Sequence, residues 1–404
     1  MRVVICPDKY AGTISAVDAA AAIADGWCTV APGDRLTRRP LADGGPGFLD
    51  VLQLATAGRR LPVPTTDPLG RPVPGSVLLV GDAPGAEGRG AEGRGALGSG
   101  GPTAYLESAQ ACGLHLLAED ERDPKATTSY GLGILLAAAV ETGAREVVVG
   151  LGGSATNDAG AGMLAALGAA VLDDAGYALP YGGAALAAAA ALAGPPRLRQ
   201  VSLVAATDVD NPLLGLHGAS AVFGPQKGAT RSDVLLLDAA LERFSQVLER
   251  DLPTCPAGLP ALPGGGAAGG LGAALLALGG RCESGIGLVR RLTGLDAALD
   301  EADLVVTGEG AFDEQSLRGK VVSGVADAAR ERGLPCVVVA GRVAIGRQPA
   351  AEAGVTETHS LVEHFGDPAR AMRSPVEGLR AIGARLARRW SRRAGGAGPA
   401  GREV

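Results

Sequence analysis

Five short apolar runs, rich in valine, constrain the fold of this chain more than any other feature. The runs are residues 3–5, 147–149, 201–204, 304–306 and 337–339. Continuous apolar runs of this length are typical of strands buried on both faces of a parallel sheet. Alanine-rich segments with helical spacing lie between them; the first opens with the capping pattern Ser15-x-x-Asp18, and a late one spans residues 323–332. The alternation of strand and helix predicts an α/β fold.

Length, charge and patterning exclude several classes of protein. With 404 residues, 47% of them hydrophobic, the chain can form two or three domain cores. A formal net charge of −6 offers no electrostatic attraction to a nucleic acid. Residues 2–6 read as a strand rather than a leader, and no apolar stretch free of glycine and proline approaches ~18 residues. We expect a soluble cytoplasmic protein that binds neither nucleic acid nor membrane, and a homodimer remains open.

Cysteine and histidine spacing gives no sign of a metal centre. The six cysteines contain no CxxC pair, which argues against a zinc knuckle and a disulfide framework. His359 and His364 lie near each other in sequence, but no cysteine pair accompanies them. We assign these residues no chemistry.

The stretch GLGGSATNDAGAGM, residues 150–163, directly follows one of the predicted strands. Its glycines let backbone amides converge on an anion, and a helix after it would add its positive dipole end. We therefore predict a phosphate-binding loop. The chain contains neither GxxxxGKS nor GxxxxGKT, which excludes a P-loop of that type. Residues 150–155 match a relaxed dinucleotide-binding fingerprint, GxGxxA, and Asp173 lies at about the sequence distance expected of a ribose-binding acid. An NAD-dependent oxidoreductase therefore remains an alternative.

Three acidic or mixed-charge segments offer further chemistry. ATDVDNP, residues 206–212, places alternate carboxylates at the carboxyl end of a strand, where they suit Mg²⁺ and a hydroxyl-activating base. TGEGAFDEQSLRGK, residues 307–320, mixes charges that can hold both a metal and a phosphate. LADGG, residues 41–45, offers Asp43 before two glycines. An ordinary turn or a solvated loop remains the alternative for each segment.

Six motifs follow one another in the order seen in bacterial glycerate kinases: CPDKYAGTISA, LADGGPG, GLGGSATNDAGAGML, DVDNPLLG, FGPQKGAT and TGEGAFDEQSLRGK. The chain resembles the type-1 glycerate kinase family (bacterial glycerate 2-kinase) from about residue 2 to residue 380. The resemblance implies ATP-dependent phosphorylation of D-glycerate, most often to 2-phosphoglycerate, with Mg²⁺ required.

The same resemblance implies two α/β domains. A Rossmann-like parallel-sheet domain would comprise residues 1–68 and 295–380, and residues 69–294 would form a second α/β domain inserted in it. Residues 81–102, which are rich in glycine, are expected to be a flexible insertion without a catalytic role. The tail, residues 381–404, is expected to be a solvated helix end followed by disorder.

These motifs and the resemblance together give a hypothesis for the site. Predicted catalytic residues are Asp208, Asp43 and Lys320, of which either aspartate would accept the hydroxyl proton and Lys320 would hold nucleotide phosphates. Predicted nucleotide contacts are Gly152, Gly153, Ser154, Thr156, Asn157 and Asp158. Predicted metal ligands are Asp208, Asp210, Glu309 and Asp313. Predicted substrate contacts are Asp8, Lys9, Lys227 and Arg318.

Three positions depart from the usual family pattern. Ala11 stands where a basic residue is common, Pro46 where glutamate is common and Ala159 where glycine is common. Because the first two departures would weaken a contact to substrate or metal, a non-catalytic glycerate-binding regulator remains a second alternative.

Overall fold

The structure, a computed structural model, describes residues 1–10, 12–81, 101–317 and 321–394. Its strands are β1 (Arg2–Ile5), β2 (Arg35–Arg38), β3 (Arg59–Thr66), β4 (Pro72–Val80), β5 (Thr103–Glu107), β6 (Glu146–Gly150), β7 (Val171–Leu172), β8 (Ala191–Leu192), β9 (Ser202–Ala206), β10 (Arg281–Glu283), β11 (Leu304–Phe312), β12 (Cys336–Val343) and β13 (Glu357–Ser360). Its helices are α1 (Ala16–Cys28), α2 (Phe48–Thr56), α3 (Ala109–Cys112), α4 (Tyr130–Glu141), α5 (Ala161–Ala166), α6 (Ala219–Phe223), α7 (Arg231–Asp251), α8 (Ala267–Ala277), α9 (Gly285–Thr293), α10 (Leu295–Asp300), α11 (Val321–Glu331), α12 (Arg347–Glu352), α13 (Leu361–Phe365), α14 (Pro368–Arg373) and α15 (Pro375–Ala394).

Internal contacts divide the chain into two compact units. The first contains Met1–Ala42 together with the chain from Val289 onward, and the second contains Asp43–Leu288. The first boundary therefore lies earlier than the residue 68 expected from the sequence. The reason is that the Gly47 and Leu49 amides donate to Glu107 of β5, and β3 then pairs with β4 in the same sheet, so the segment from residue 43 onward packs on the second unit.

The first unit is built on a five-stranded sheet in the order β13-β12-β11-β1-β2, and every pairing in it is parallel. The apolar runs predicted as strands in β1, β11 and β12 are buried, which confirms the parallel-sheet prediction. Helix α1 begins directly after Ser15, whose hydroxyl oxygen accepts a hydrogen bond from the Asp18 amide at 3.1 Å. The capping pattern in the sequence is therefore confirmed.

The second unit is built on a six-stranded sheet in the order β10-β9-β6-β5-β4-β3. Strands β10, β9, β6 and β5 are parallel, and β4 and β3 add an antiparallel edge. A separate two-stranded antiparallel ribbon joins β7 and β8. Because β6 and β9 are parallel neighbours, the segments that follow Gly150 and Ala206 emerge at the same edge of the sheet.

Parts of two predicted segments lie outside the described residues. The structure does not describe residues 82–100 of the predicted insertion or residues 395–404 of the predicted tail. Within the described part of the chain, no helix is both long and apolar enough to cross a membrane.

Helix α2 ends at a left-handed backbone conformation that is unfavourable for the alanine at that position. Ala57, the exposed C-cap, has φ 51° and ψ 28°, the left-handed region in which a Cβ atom is strained. We expect Ala57→Gly to raise the free energy of unfolding by about 0.5–1 kcal/mol. Ala55→Gly, at an exposed position in the last turn of the same helix, should lower it by about 0.5–1 kcal/mol. Urea unfolding of both variants tests whether the two stability changes have opposite signs. A loss of stability in both would contradict the proposed backbone strain at Ala57.

Candidate active site

The glycine-rich loop after β6 packs against the turn at residues 43–47 backbone to backbone. A Cβ atom at Gly152 would lie 2.7 Å from the Cα atom of Gly45, so no larger residue fits there without movement. Gly153 is exposed and faces the ring of Pro46. Among the residues that the structure describes, the backbone amides of Gly152, Gly153 and Ser154 donate to no acceptor. Three consecutive amides of this kind can bind an anion.

The side chains of this loop point into the protein. Ser154, Thr156, Asn157 and Asp158 are each at most 4% exposed. The Asn157 side-chain amide, for example, donates to the Ser220 hydroxyl at 2.9 Å. These four side chains were predicted as nucleotide contacts, and the structure buries all of them. Ser154, Asn157 and Asp158 make internal hydrogen bonds, whereas the Thr156 hydroxyl is buried without a partner among the described residues.

Asp158 occupies the amino end of the helix that was expected to add its dipole to the loop. Its carboxylate accepts hydrogen bonds from the Ser129 amide and hydroxyl at 2.9 and 2.8 Å, and from the amides of Gly160 and Gly162. Burial raises the pKa of this carboxyl, while these hydrogen bonds act to lower it. Helix α5 begins only at Ala161, so its first amides serve Asp158 rather than an anion at residues 152–154.

We expect Asp158→Asn to lower the free energy of unfolding by about 2–4 kcal/mol, because an amide cannot accept all four hydrogen bonds and the lost partners are buried. Asp173→Asn is the matched control. The Asp173 Oδ1 atom accepts from the Ala175 and Tyr177 amides in an exposed turn, which an asparagine oxygen can also do. This control should change stability by less than about 0.5 kcal/mol. Equal effects in chemical unfolding would contradict the role given to Asp158.

Lys227 is buried beneath the same loop. Its Nζ atom donates to the Ser154 hydroxyl oxygen at 3.0 Å and to the Thr156 carbonyl at 2.6 Å, and the residue is only 1% exposed. Burial lowers the pKa of Lys227 to about 7, although the nearby Asp158 and Cys112 favour its charged form. The predicted direct contact between Lys227 and substrate is therefore corrected: its ammonium is used inside the protein.

This burial makes stability depend on pH. The unfolded chain keeps the Lys227 proton up to the ordinary pKa of 10.5, whereas the folded protein releases it near 7. Between these values the unfolded state binds more protons, so stability rises with pH. Relative to Lys227→Met, wild-type protein should gain about 2 kcal/mol in unfolding free energy from pH 7 to pH 9. Urea unfolding of both proteins at each pH measures the difference between their unfolding free energies. A difference that stays constant or falls with rising pH would contradict a lowered pKa for the buried Lys227.

Asp208 and Asp43, distant in sequence, lie close together after β9 and before α2. The Asp208 carboxylate accepts from the Ser284 hydroxyl at 2.6 Å and from the Ile286 amide at 2.9 Å. Burial raises the pKa of Asp208, and the negative charge of Asp43 adds to this increase. The Asp43 Oδ1 atom in turn accepts from the Gly45 amide at 3.1 Å. Two neighbouring carboxylates of this kind can bind a cation or accept a proton.

The residues present are compatible with Mg²⁺. No group of three or more His, Cys, Asp and Glu side chains placed to hold a metal occurs in the described ranges. Mg²⁺ usually takes one or two carboxylates and completes its shell with water and substrate phosphates. The Asp43–Asp208 pair meets that requirement, whereas Asp210 is exposed on the following loop.

The first unit holds a separate group of predicted residues on the neighbouring strands β1 and β11, with Asp8 and Lys9 after β1 and Glu309 within β11. The Asp8 amide donates to the Gly308 carbonyl, and Lys9 Nζ lies 3.5 Å from Asp8 Oδ1. Burial raises the pKa of Tyr10, and the charges of Glu309 and Asp8 raise it further, so these acids lie near its ring. Asp8, Lys9 and Glu309 therefore lie in the same region of the first unit.

The structure describes the 307–320 motif as far as residue 317. The Asp313 amide donates to the Ser316 hydroxyl at 3.1 Å, at the start of a short 3-10 turn. Arg318, Lys320 and Ala11 lie outside the described residues. Asp173, the candidate ribose-binding acid of the dinucleotide alternative, accepts hydrogen bonds from the Ala175 and Tyr177 amides within its own turn.

Two residues that position the site were missed in the sequence. The Glu107 carboxylate accepts from the amides of Gly47 and Leu49, which holds the turn at residues 43–47 against the end of β5. Ser284 binds Asp208. Neither residue belongs to a recognisable motif, and each partner is at least 58 positions away, so no local signal could have found them.

An α/β fold with carboxylates and open loop amides at the ends of parallel strands is that of a ligand-binding enzyme. The chain matches the glycerate kinase family over residues 3–391. It is 40% identical to a glycerate kinase of Bacillus subtilis, covering 90% of each chain, and 37% identical to a glycerate 2-kinase of Escherichia coli, covering 94% of this chain and 95% of that one. A crystal structure of a candidate glycerate kinase 2 from Salmonella typhimurium LT2 superposes with a TM-score of 0.75, at 37% identity, over 98% and 99% of the two chains. The protein belongs to the glycerate kinase family and is a phosphotransferase.

Proposed function

We propose that this enzyme transfers the terminal phosphoryl group of ATP to D-glycerate, with Mg²⁺, and releases 2-phosphoglycerate. The observation that carries the proposal is the closeness of Asp43 and Asp208 at the sheet edge where the open amides of residues 152–154 also emerge. The names of the relatives support the substrate, since they are a glycerate kinase and a glycerate 2-kinase.

Phosphoryl transfer depends mainly on holding the reacting groups in line and on neutralising the charge of the phosphoryl oxygens. The amides of residues 152–154 would bind phosphate oxygens without needing any side chain. When bound, Mg²⁺ would offset further negative charge, and Asp208 and Asp43 would be the carboxylates that hold it. Asp208 would orient the hydroxyl of glycerate and accept its proton, because a carboxylate with a raised pKa is the stronger base.

The roles of the remaining predicted residues stay predictions. Asp8, Lys9 and Arg318 are proposed substrate contacts. Asp210, Glu309 and Asp313 are proposed metal ligands, and Lys320 is a proposed phosphate contact. The NAD-dependent alternative is not favoured, because its ribose-binding acid, Asp173, is already used in a turn. The regulator alternative rests on Ala11 and Pro46, and no contact of Pro46 favours it over a kinase.

The decisive experiment is incubation of the wild-type enzyme with ATP, Mg²⁺ and D-glycerate, followed by NMR identification of the product. Asp208→Asn should lower kcat by about 100-fold or more in the same assay, because the amide neither accepts the proton nor carries the charge that a cation requires. Asp238→Asn is the matched control in the same unit, where the carboxylate accepts from the Gly215 amide. We expect its kcat to stay within about twofold of wild type.

The outcomes separate the parts of the proposal. A wild-type enzyme that releases no ADP with glycerate would remove the kinase assignment for this substrate. Formation of 3-phosphoglycerate would keep the kinase but overturn the proposed product. Near-normal turnover of a folded Asp208→Asn variant would remove Asp208 from the mechanism.

A further inference from the structure

The segment that carries Lys227 reaches the glycine-rich loop at several points. Ser220 in α6 accepts from the Asn157 side-chain amide, and Lys227 donates to residues 154 and 156. Gly228 ends the 3-10 turn that precedes it with φ +97°, and its backbone packs against the Arg122 carbonyl. A side chain at position 228 would be strained and would clash there, so the backbone directs Lys227 into the protein.

The segment around residues 112–114 holds the loop through main-chain hydrogen bonds. The Leu114 amide donates to the Gly153 carbonyl at 2.8 Å, and the Ala155 amide donates to the Cys112 carbonyl at 2.7 Å. The loop is thus fixed between this isolated bridge and the Lys227 side chain. The amides of Gly152, Gly153 and Ser154 are left between the two anchors.

Burying a lysine is costly, and a stability role alone would be served by an apolar residue of similar size. Lys227 instead satisfies a hydroxyl and a carbonyl within the loop, at residues 154 and 156. These acceptors directly adjoin the open amides. The lysine therefore controls the orientation of the peptide units that would face an anion.

We propose that Lys227 is a positioning residue: by holding Ser154 and Thr156 it fixes the amides of residues 152–154 in the orientation that binds the phosphate groups of the nucleotide. Lys227 acts through the loop and does not itself touch the ligand. The inference rests on the proposed ATP-dependent activity and deepens it, because it assigns the phosphate end of the nucleotide to this loop.

The test is steady-state kinetics of Lys227→Met, which keeps the length and apolar stem of the side chain but removes its donors. We expect the KM for ATP to rise about tenfold, with kcat within about threefold and the KM for glycerate unchanged, because the lost contact acts on nucleotide binding. Ser154→Ala, which removes one acceptor, should raise the KM for ATP by a smaller factor of about three. A merely structural role would lower the active fraction and leave KM for ATP unchanged.

Lys125→Met is the matched control, since it removes another lysine of the same unit whose Nζ atom pairs with Asp233 at 2.9 Å. We expect wild-type KM for ATP in that variant. An unchanged KM for ATP in folded Lys227→Met, or a rise in KM for glycerate instead, would overturn the inference. If Lys227→Met does not fold, Ser154→Ala decides: a wild-type KM for ATP overturns the inference, and a raised one supports it. A wild-type enzyme that is inactive with ATP and D-glycerate would instead contradict the proposed function.

Discussion

The close approach of main chain to main chain at the end of β6 is the constraint on which the candidate site depends. A Cβ atom at Gly44 would lie 2.6 Å from the Ala206 carbonyl oxygen, and one at Gly152 would lie 2.7 Å from the Cα atom of Gly45. Without side chains at these positions, the turn before α2 lies directly on the carboxyl ends of β6 and β9. This contact is what brings Asp43 beside Asp208, because each aspartate extends from one of the segments that meet there.

A second constraint is the burial of nearly all polar side chains of the glycine-rich loop. Asp158 binds Ser129 and the start of α5, Asn157 binds Ser220, and Ser154 receives a hydrogen bond from Lys227. A loop of this composition would be mobile without such anchors, since glycine loses more backbone entropy on ordering than any other residue. The polar residues of the motif thus hold the loop in place, and its main-chain amides at residues 152–154 are left without an acceptor among the described residues.

Much of the fold could be predicted from the sequence. The buried strands β1, β6, β11 and β12 and the Ser15 cap of α1 follow from local pattern, because burial on both faces and capping leave a signal within a few residues. The candidate site was predicted less completely. The sequence singled out Asp43 and Asp208, which lie close together in the structure. It gave no sign of Ser284 and Glu107, because their hydrogen bonds join residues that no local motif links.

The sequence by itself determined the fold class, the family and the segments that carry chemistry, because strand patterning and ordered motifs are properties of neighbouring residues. Only the tertiary structure decided which way each polar side chain points. Lys227 and Asp158 read as ligand contacts in the sequence, yet each lies against internal partners from segments far along the chain. Burial and long-range hydrogen bonding set that direction, and neither is encoded in a motif of a few residues.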